Sequence, residues 1–357
     1  MTEISVTKAD KVGTLPIDGK LGFGKIYTDH MFVMDYVSGK GWYSPRIVPY
    51  GEFGTVPATI VFHYGQAIFE GMKAFRNTDN QVAVFRANNY LNRLNRSAGF
   101  LCIPSVDVEQ VREGLFKLLE LDQDWVPGEL GTALYIRPFV IATDKYIGLK
   151  SSNTYRLFII MSPVGAYYET GFNPVSIKVE EKYVRATKGG LGQAKTPANY
   201  AMSLAAQEEA HAEGFTQVLW LDAVHRKYVE EVGTMNIFFK INGEIVTPEL
   251  NGSILGGITR QTVLELARDW GLKVAERQIS IEEVYEAQAK GQLEEIFGTG
   301  TAAVISPVGE LSWKGERILI NNNRTGKFAQ KLFDYLTGVQ YGNVPDKYDW
   351  MDKVKRK

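Results

Sequence analysis

Residues 188–201, KGGLGQAKTPANYA, constrain this chain more than any other stretch. Gly189, Gly190 and Gly192 permit backbone angles that a Cβ resists, and they let a ligand approach the main chain. Lys195 follows directly, and Pro197 suits the first turn of a helix, where its missing N–H costs nothing. Residues 199–213 are rich in Ala, Leu, Met and Glu and are closed by Gly214, which predicts one helix. Three roles are open to Lys195: a solvated surface cation, a phosphate clamp, or a covalent lysine. A buried amine gives up its proton more readily and can then condense with an aldehyde. Residues 189–196 fit G-x-x-x-x-G-K-[ST] except that Ala194 replaces the second glycine. Spacing alone does not separate the last two roles.

Around this stretch, strand and helix patterns mix without strict alternation. Residues 31–36 predict a strand, and 69–76 with 81–86 predict two strands joined through 77–80. Helices are predicted over 87–100 and 108–121, the second from the spacing of Val108, Val111, Leu115 and Leu118. Residues 132–143 and 155–161 predict further strands. Residues 162–173 break the pattern with Pro, Gly and Tyr, and predict a crossing between domains. Strands are then predicted at 175–179, 217–221, 236–241 and, briefly, 295–297, with helices at 259–270 and 326–336. The fold class that follows is α+β or mixed, in two domains. A smaller N-terminal α/β domain over 1–165, an interdomain loop over 166–174 and a larger C-terminal domain over 175–357 are expected.

Charge and cysteine content narrow the function. A net charge of −1 gives no reason to expect nucleic acid or an anionic membrane as partner. The N-terminus lacks the apolar core of a signal peptide, and no run approaches the ~18 apolar residues of a membrane span. Cys102 is the only cysteine, which fits a reducing, cytoplasmic setting. Its apolar neighbours Leu101 and Ile103 predict a buried thiol. The four histidines and one cysteine lack zinc spacing, so no metal is expected, and no G-x-S-x-G elbow is present.

Several motifs can carry chemistry. Gly256-Gly257-Ile258-Thr259 opens a helix whose free N–H groups would attract phosphate. Gly298-Thr299-Gly300-Thr301 offers backbone donors and two hydroxyls. Glu230-Glu231-Val232-Gly233-Thr234-Met235-Asn236 is either a solvated acidic turn or a carboxylate held against a cationic ring nitrogen. Arg137, inside an apolar strand, is either paired with an acid or presented to a substrate anion. Arg93 lies on a helix and is equally open to a surface position. The rival to an aldehyde cofactor is a nucleotide-binding loop, with Asp222 as its magnesium ligand. Ala194 and the polar residues 180–185 speak against it.

These residues, taken in order, resemble the branched-chain amino acid aminotransferases, which are fold-type IV pyridoxal phosphate enzymes, and in particular their longer subgroup. The resemblance runs from Gly22-Phe23-Gly24 through residues 62–75 (FHYGQAIFEGMKAF), Tyr135-Ile136-Arg137-Pro138, the lysine loop, the Glu231–Asn236 motif and residues 297–302 (FGTGTA). It implies that Lys195 is joined to pyridoxal 5'-phosphate as a Schiff base and shuttles the substrate proton. It also implies that Glu231 meets the pyridine nitrogen, Tyr200 the phenolic oxygen, and Arg93, Ile258, Thr259 and Thr301 the phosphate. Thr234 would serve both cofactor and substrate, and Thr301 would also border the substrate. Phe23, Tyr64, Tyr135, Tyr167 and Ala302 would line the substrate pocket, and Arg137 would recognise the side-chain carboxylate of glutamate. Tyr64, Ile147 and Leu149 would reach across from a second subunit of a homodimer. The implied reaction is ping-pong transfer between leucine, isoleucine or valine and 2-oxoglutarate. A D-amino-acid aminotransferase or an aminodeoxychorismate lyase is the alternative within the fold. Two departures stand out. Ala303 and Ser306 occupy the positions of a C-x-x-C pair found in some animal relatives, so no thiol switch is expected. Gly256 stands where relatives often carry proline, which should loosen the phosphate loop.

Overall fold

The computed structural model describes residues 3–16, 21–165 and 172–356. They form two compact units, each discontinuous in sequence. The first takes residues 1–167, 194–197 and 337–357, the second 168–193 and 198–336. Each is built on one nine-stranded sheet, and the chain is a mixed helix and strand fold.

In the first unit, the centre of the sheet is the antiparallel pair Ala133–Ala142 and Thr154–Val164. From Leu134 to Ala142 burial alternates residue by residue, as it does when successive side chains face opposite sides of a sheet. The helices Ala87–Phe100 and Val108–Leu121 coincide with the predicted ones. Asp107 caps the second, accepting hydrogen bonds from the N–H groups of Glu109 and Gln110.

The predicted strand over 69–76 is two strands, Ala67–Phe69 and Met72–Arg76, both paired with Ala133–Ala142. Pro138 explains the break. It has no N–H to donate, and its carbonyl accepts from Glu70 N–H at 2.7 Å. The ladder is therefore interrupted opposite Pro138, and Glu70 and Gly71 leave the strand there.

His30 and Asp122 form a buried pair in the same unit. His30 Nδ1 lies 2.6 Å from Asp122 Oδ1, while His30 Nε2 accepts from Ala9 N–H at 2.9 Å. An accepting Nε2 fixes the neutral tautomer with its proton on Nδ1. His30→Ala leaves Asp122 with the residue-30 backbone N–H but without the ring donor, and leaves the Ala9 N–H without its acceptor, and should cost about 1–3 kcal/mol of stability. Denaturant titration would show it; an unchanged midpoint would contradict the pairing.

In the second unit, pairing runs through Val229–Val232, Gln217–Leu221, Val175–Val179, Val304–Trp313, Leu293–Gly300 and Met235–Ile241, and Met235–Ile241 pairs back with Val229–Val232. The six strands therefore close into a ring, and Glu244–Thr247, Val274–Glu276 and Glu316–Leu319 pair outside it. Ile177, Leu219, Val232, Phe239, Val246 and Leu311 belong to its buried core.

Three expectations need correction here. The single helix over 199–213 is two, Pro197–Ala201 and Leu204–Ala212, separated by a turn in which Ser203 Oγ donates to Tyr200 O at 2.7 Å. That side chain offers the backbone carbonyl an alternative to helix continuation. The short strand at 295–297 extends over Leu293–Gly300, so the Gly-Thr motif begins inside a strand rather than after it. Cys102 is exposed, not buried, and has φ 53° just past the helix Ala87–Phe100. In such a turn, apolar neighbours do not share the facing of the residue between them. Most of the expected interdomain loop, with Tyr167, lies outside the described residues.

Candidate active site

Lys195 is held from both sides of its own backbone. Its N–H donates to Ser97 Oγ at 2.9 Å, and its carbonyl accepts from Phe69 N–H at 3.0 Å. Thr196, fully buried, donates its hydroxyl to Ala67 O at 2.8 Å. These contacts aim the half-buried side chain at Phe69, with Nζ 4.9 Å from the ring centroid. A cation in that position is attracted by the ring face.

Arg137 uses the same ring, its guanidinium carbon 4.8 Å from the Phe69 centroid. Arg137 Nη2 donates to Tyr135 Oη at 3.1 Å, and the Phe23 ring meets the Tyr135 ring edge-on at 5.0 Å. Lys195, Arg137, Tyr135 and Phe23 are thus brought together around Phe69. Among the described residues no acidic side chain pairs with Arg137, and its buried Nε has no hydrogen-bond partner. Of the two roles open to Arg137, the structural ion pair therefore has no support among the described residues. Gly71 makes the arrangement possible, since a Cβ there would lie 1.9 Å from Tyr135 Oη.

Arg93 is buried and gives Nε and Nη2 to the two oxygens of the fully buried Glu70, at 2.7 and 2.8 Å. Sequence reasoning missed Glu70 as its partner, although an acid amid the apolar residues 67–72 was a usable signal. It missed Lys73 as well. That lysine is directly cross-strand from Tyr135, and burial pushes its amine down to about 8.

The second unit carries a separate polar group on three neighbouring strands. Glu231, Asn236 and Thr299 are register partners across Val229–Val232, Met235–Ile241 and Leu293–Gly300, so they share one sheet face. The segment before the helix Ile258–Asp269 braces them. Leu255 N–H donates to Glu231 Oε1 at 2.8 Å, and Asn236 Nδ2 donates to Leu255 O at 2.8 Å. Glu231 is buried, as is Glu230, which removes the solvated-turn reading of this motif. Thr234 is exposed at the turn between the two strands.

The helix Ile258–Asp269 begins without a side-chain cap, and a helix N-terminus of this kind suits an anion through its first N–H groups. Ile258 and Thr259 are buried there. Thr299 Oγ1 is also buried without a hydrogen-bond partner among the described residues. A buried carboxylate, a helix N-terminus without a side-chain cap and the unpartnered Thr299 hydroxyl fit a ligand with a cationic ring nitrogen and an anionic group. Tyr200 lies half-buried in Pro197–Ala201, and Thr301 and Ala302 half-buried after Leu293–Gly300.

Tyr64, Ile147 and Leu149 stand apart. Tyr64 Oη donates to Ile147 O at 2.5 Å, and Ile147 and Leu149 are 68% and 81% exposed.

The magnesium role considered for Asp222 does not survive. Burial works to raise its carboxyl, but N–H groups of Val224, His225, Lys227 and Tyr228 outweigh that and hold it at about 2. Those bonds commit it to closing a turn. No group of residues suited to a metal ion occurs among the described residues, and no helix there is long and apolar enough to cross a membrane.

Comparison with known proteins agrees with this chemistry. Residues 67–311 match the amino-transferase class IV family. The chain is 56% identical over 352 residues to branched-chain-amino-acid aminotransferase 2 of Bacillus subtilis, covering 99% of this chain and 96% of that protein. It is similar in structure to the branched-chain amino acid aminotransferase of Escherichia coli, with 25% identity, a TM-score of 0.75, and 90% and 99% of the two chains covered. The T.th. branched-chain amino acid aminotransferase with pyridoxamine 5'-phosphate is similar too, at 26% identity and a TM-score of 0.74, over 90% and 98% of the chains.

Proposed function

Since this chain belongs to the class IV amino-transferases and is a pyridoxal-phosphate-dependent branched-chain-amino-acid transaminase, we propose that it exchanges amino groups between leucine, isoleucine or valine and 2-oxoglutarate in a ping-pong cycle. When bound, the cofactor supplies an electron sink for the charge left at the substrate's α-carbon. Lys195 would hold the cofactor covalently until the substrate's amino group displaces it, and its freed Nζ would then take the α-proton. Glu231 would keep the ring nitrogen protonated, and Tyr200 would pair with the phenolic oxygen. Ile258, Thr259, Thr301 and Arg93 would hold the phosphate. Phe23, Tyr135, Tyr167, Thr234 and Ala302 border the substrate.

The observation that carries this reading is Arg137, set on the same aromatic ring as Lys195 Nζ and lacking an acidic partner among the described residues. An aliphatic side chain can pack on the Phe69 and Tyr135 rings, while the guanidinium offers donors to the distal carboxylate of glutamate. One pocket can then serve both half-reactions. Exposed Phe62, Ile147 and Leu149 support a homodimer in which the partner covers these apolar side chains. A single cysteine in the whole chain supports a cytoplasmic setting.

Initial rates with 2-oxoglutarate and a panel of L- and D-amino acids test the proposal. L-leucine, L-isoleucine and L-valine should differ by about tenfold or less, since one methylene discriminates weakly. Double-reciprocal plots should be parallel. Faster turnover of D-alanine than of L-leucine would instead place the chain with the D-amino-acid aminotransferases. Gly71→Ala should lower kcat/KM by about tenfold or more, because Tyr135 must move and release Arg137. Steady-state kinetics within twofold of wild type would refute that packing argument.

A further inference from the structure

Glu230 and Glu231 are consecutive on the strand Val229–Val232, and both are only 3% exposed. Two buried carboxylates side by side are expensive to ionise together. The buried cation nearest to hand is Arg185, whose Nε lies 3.4 Å from Glu231 Oε2. That distance allows charge pairing, although the N–H is not aligned as a hydrogen bond. The other oxygen, Glu231 Oε1, accepts from Leu255 N–H at 2.8 Å. Both groups favour the anionic form of Glu231.

Glu230 has a different environment. Its Oε1 contacts Ser253 Oγ closely, and its buried Oε2 has no hydrogen-bond partner among the described residues. Ser253 Oγ also lies 2.7 Å from Asn251 Oδ1. The Ser253 N–H donates to that same Oδ1 at 3.1 Å, which fixes it as the acceptor end of the amide. A hydroxyl has one proton and cannot donate to two acceptors in these directions. The count closes when Glu230 is protonated: its O–H donates to Ser253 Oγ, and the serine donates to Asn251. Besides Ser253, the charged groups acting on Glu230 are Arg185, Glu231 and Asp222.

We infer that this acid pair carries one negative charge, with Glu231 ionised beside Arg185 and Glu230 keeping its proton, and that Arg185 is a positioning residue for the carboxylate at the cofactor's ring nitrogen. The inference rests on the reading of Glu231 given above. Burial raises the Glu230 carboxyl above its ordinary range, which agrees with the proton count. Arg185 has a second task. Its Nη2 donates to Ser253 O and, at 3.2 Å, to Gly192 O, so one guanidinium joins the Glu231 strand, the Ser253 turn and the loop that precedes Lys195. Gly192 fits there because a Cβ would lie 2.1 Å from Ser253 O.

Infrared spectroscopy of the holoenzyme tests the protonation. A carboxylic-acid C=O band should be present, vanish in Glu230→Gln and persist in Glu231→Gln. A band that survives in Glu230→Gln would overturn the inference. For Arg185, the readouts are equilibrium cofactor affinity and the pH titration of cofactor absorbance. Arg185→Met should weaken cofactor binding about ten- to hundredfold and shift the titration midpoint, and Arg185→Lys should restore part of both. If Arg185→Met does not fold, Arg185→Lys alone decides, with an intermediate shift expected. Wild-type affinity and midpoint in the folded variants would overturn the role of Arg185. Glu231→Gln separates the two levels of the argument. If it too leaves the cofactor's spectrum and affinity unchanged, the ring-nitrogen reading of Glu231 has failed. If Glu231→Gln alters them and the Arg185 variants do not, only the present inference has failed.

Discussion

Lys195→Ala should lower the rate of transamination by about four orders of magnitude or more, since it removes both the covalent tether and the proton-carrying amine. The loss should be chemical rather than structural. The hydrogen bonds from residue 195 N–H to Ser97 Oγ and from Phe69 N–H to its carbonyl use the backbone, and alanine keeps them. Thr196 keeps its own bond to Ala67 O. What disappears is the Nζ beside Phe69. Thermal unfolding of the cofactor-free variant should therefore match wild type within a few degrees. Turnover within tenfold of wild type would mean that another group moves the α-proton, and the assignment of Lys195 would be wrong.

Arg137→Met should separate the two half-reactions. Methionine preserves length and an apolar stem, so packing on Phe69 and Tyr135 is largely retained. The guanidinium is lost, and with it a charge-assisted bond to a distal carboxylate, a contribution of about 1.5–3 kcal/mol. Converted to rates, kcat/KM for 2-oxoglutarate and glutamate should fall about ten- to hundredfold. The value for leucine should change by less than about threefold, because no ionic contact to an aliphatic chain is removed. Because Arg137 pairs with no acid among the described residues, the substitution strands no buried carboxylate. An equal fall for leucine and 2-oxoglutarate would show that Arg137 acts on the general architecture and not on the dicarboxylate.

Much of the fold was legible before any coordinates. The helices Ala87–Phe100 and Val108–Leu121 and the strands Val175–Val179 and Gln217–Leu221 have the predicted bounds, because periodicity and capping are local properties. The misreadings arise where side-chain contacts or chain reversal override local pattern: Ser203 Oγ caps Tyr200 O and divides a predicted helix. The break at Glu70 depends on Pro138 in a neighbouring strand, and the outward turn of Cys102 depends on where the chain must go next. Residue spacing likewise left Arg137 balanced between two roles, since an ion pair depends on what another segment brings alongside.

The amino-acid sequence by itself determined which reactive groups the chain owns: an amine after a glycine loop, a pair of acids before a tight turn, a guanidinium within an apolar strand. It also set the local elements that carry them. Tertiary structure alone decided their ionic state and company. It put Arg185 beside Glu231, Ser253 against Glu230, Glu70 against Arg93, and no acid against Arg137 among the described residues. The reason is physical: a side chain's charge in a buried site depends on desolvation and on neighbours a few ångströms away, and pairing between strands far apart in sequence selects those neighbours.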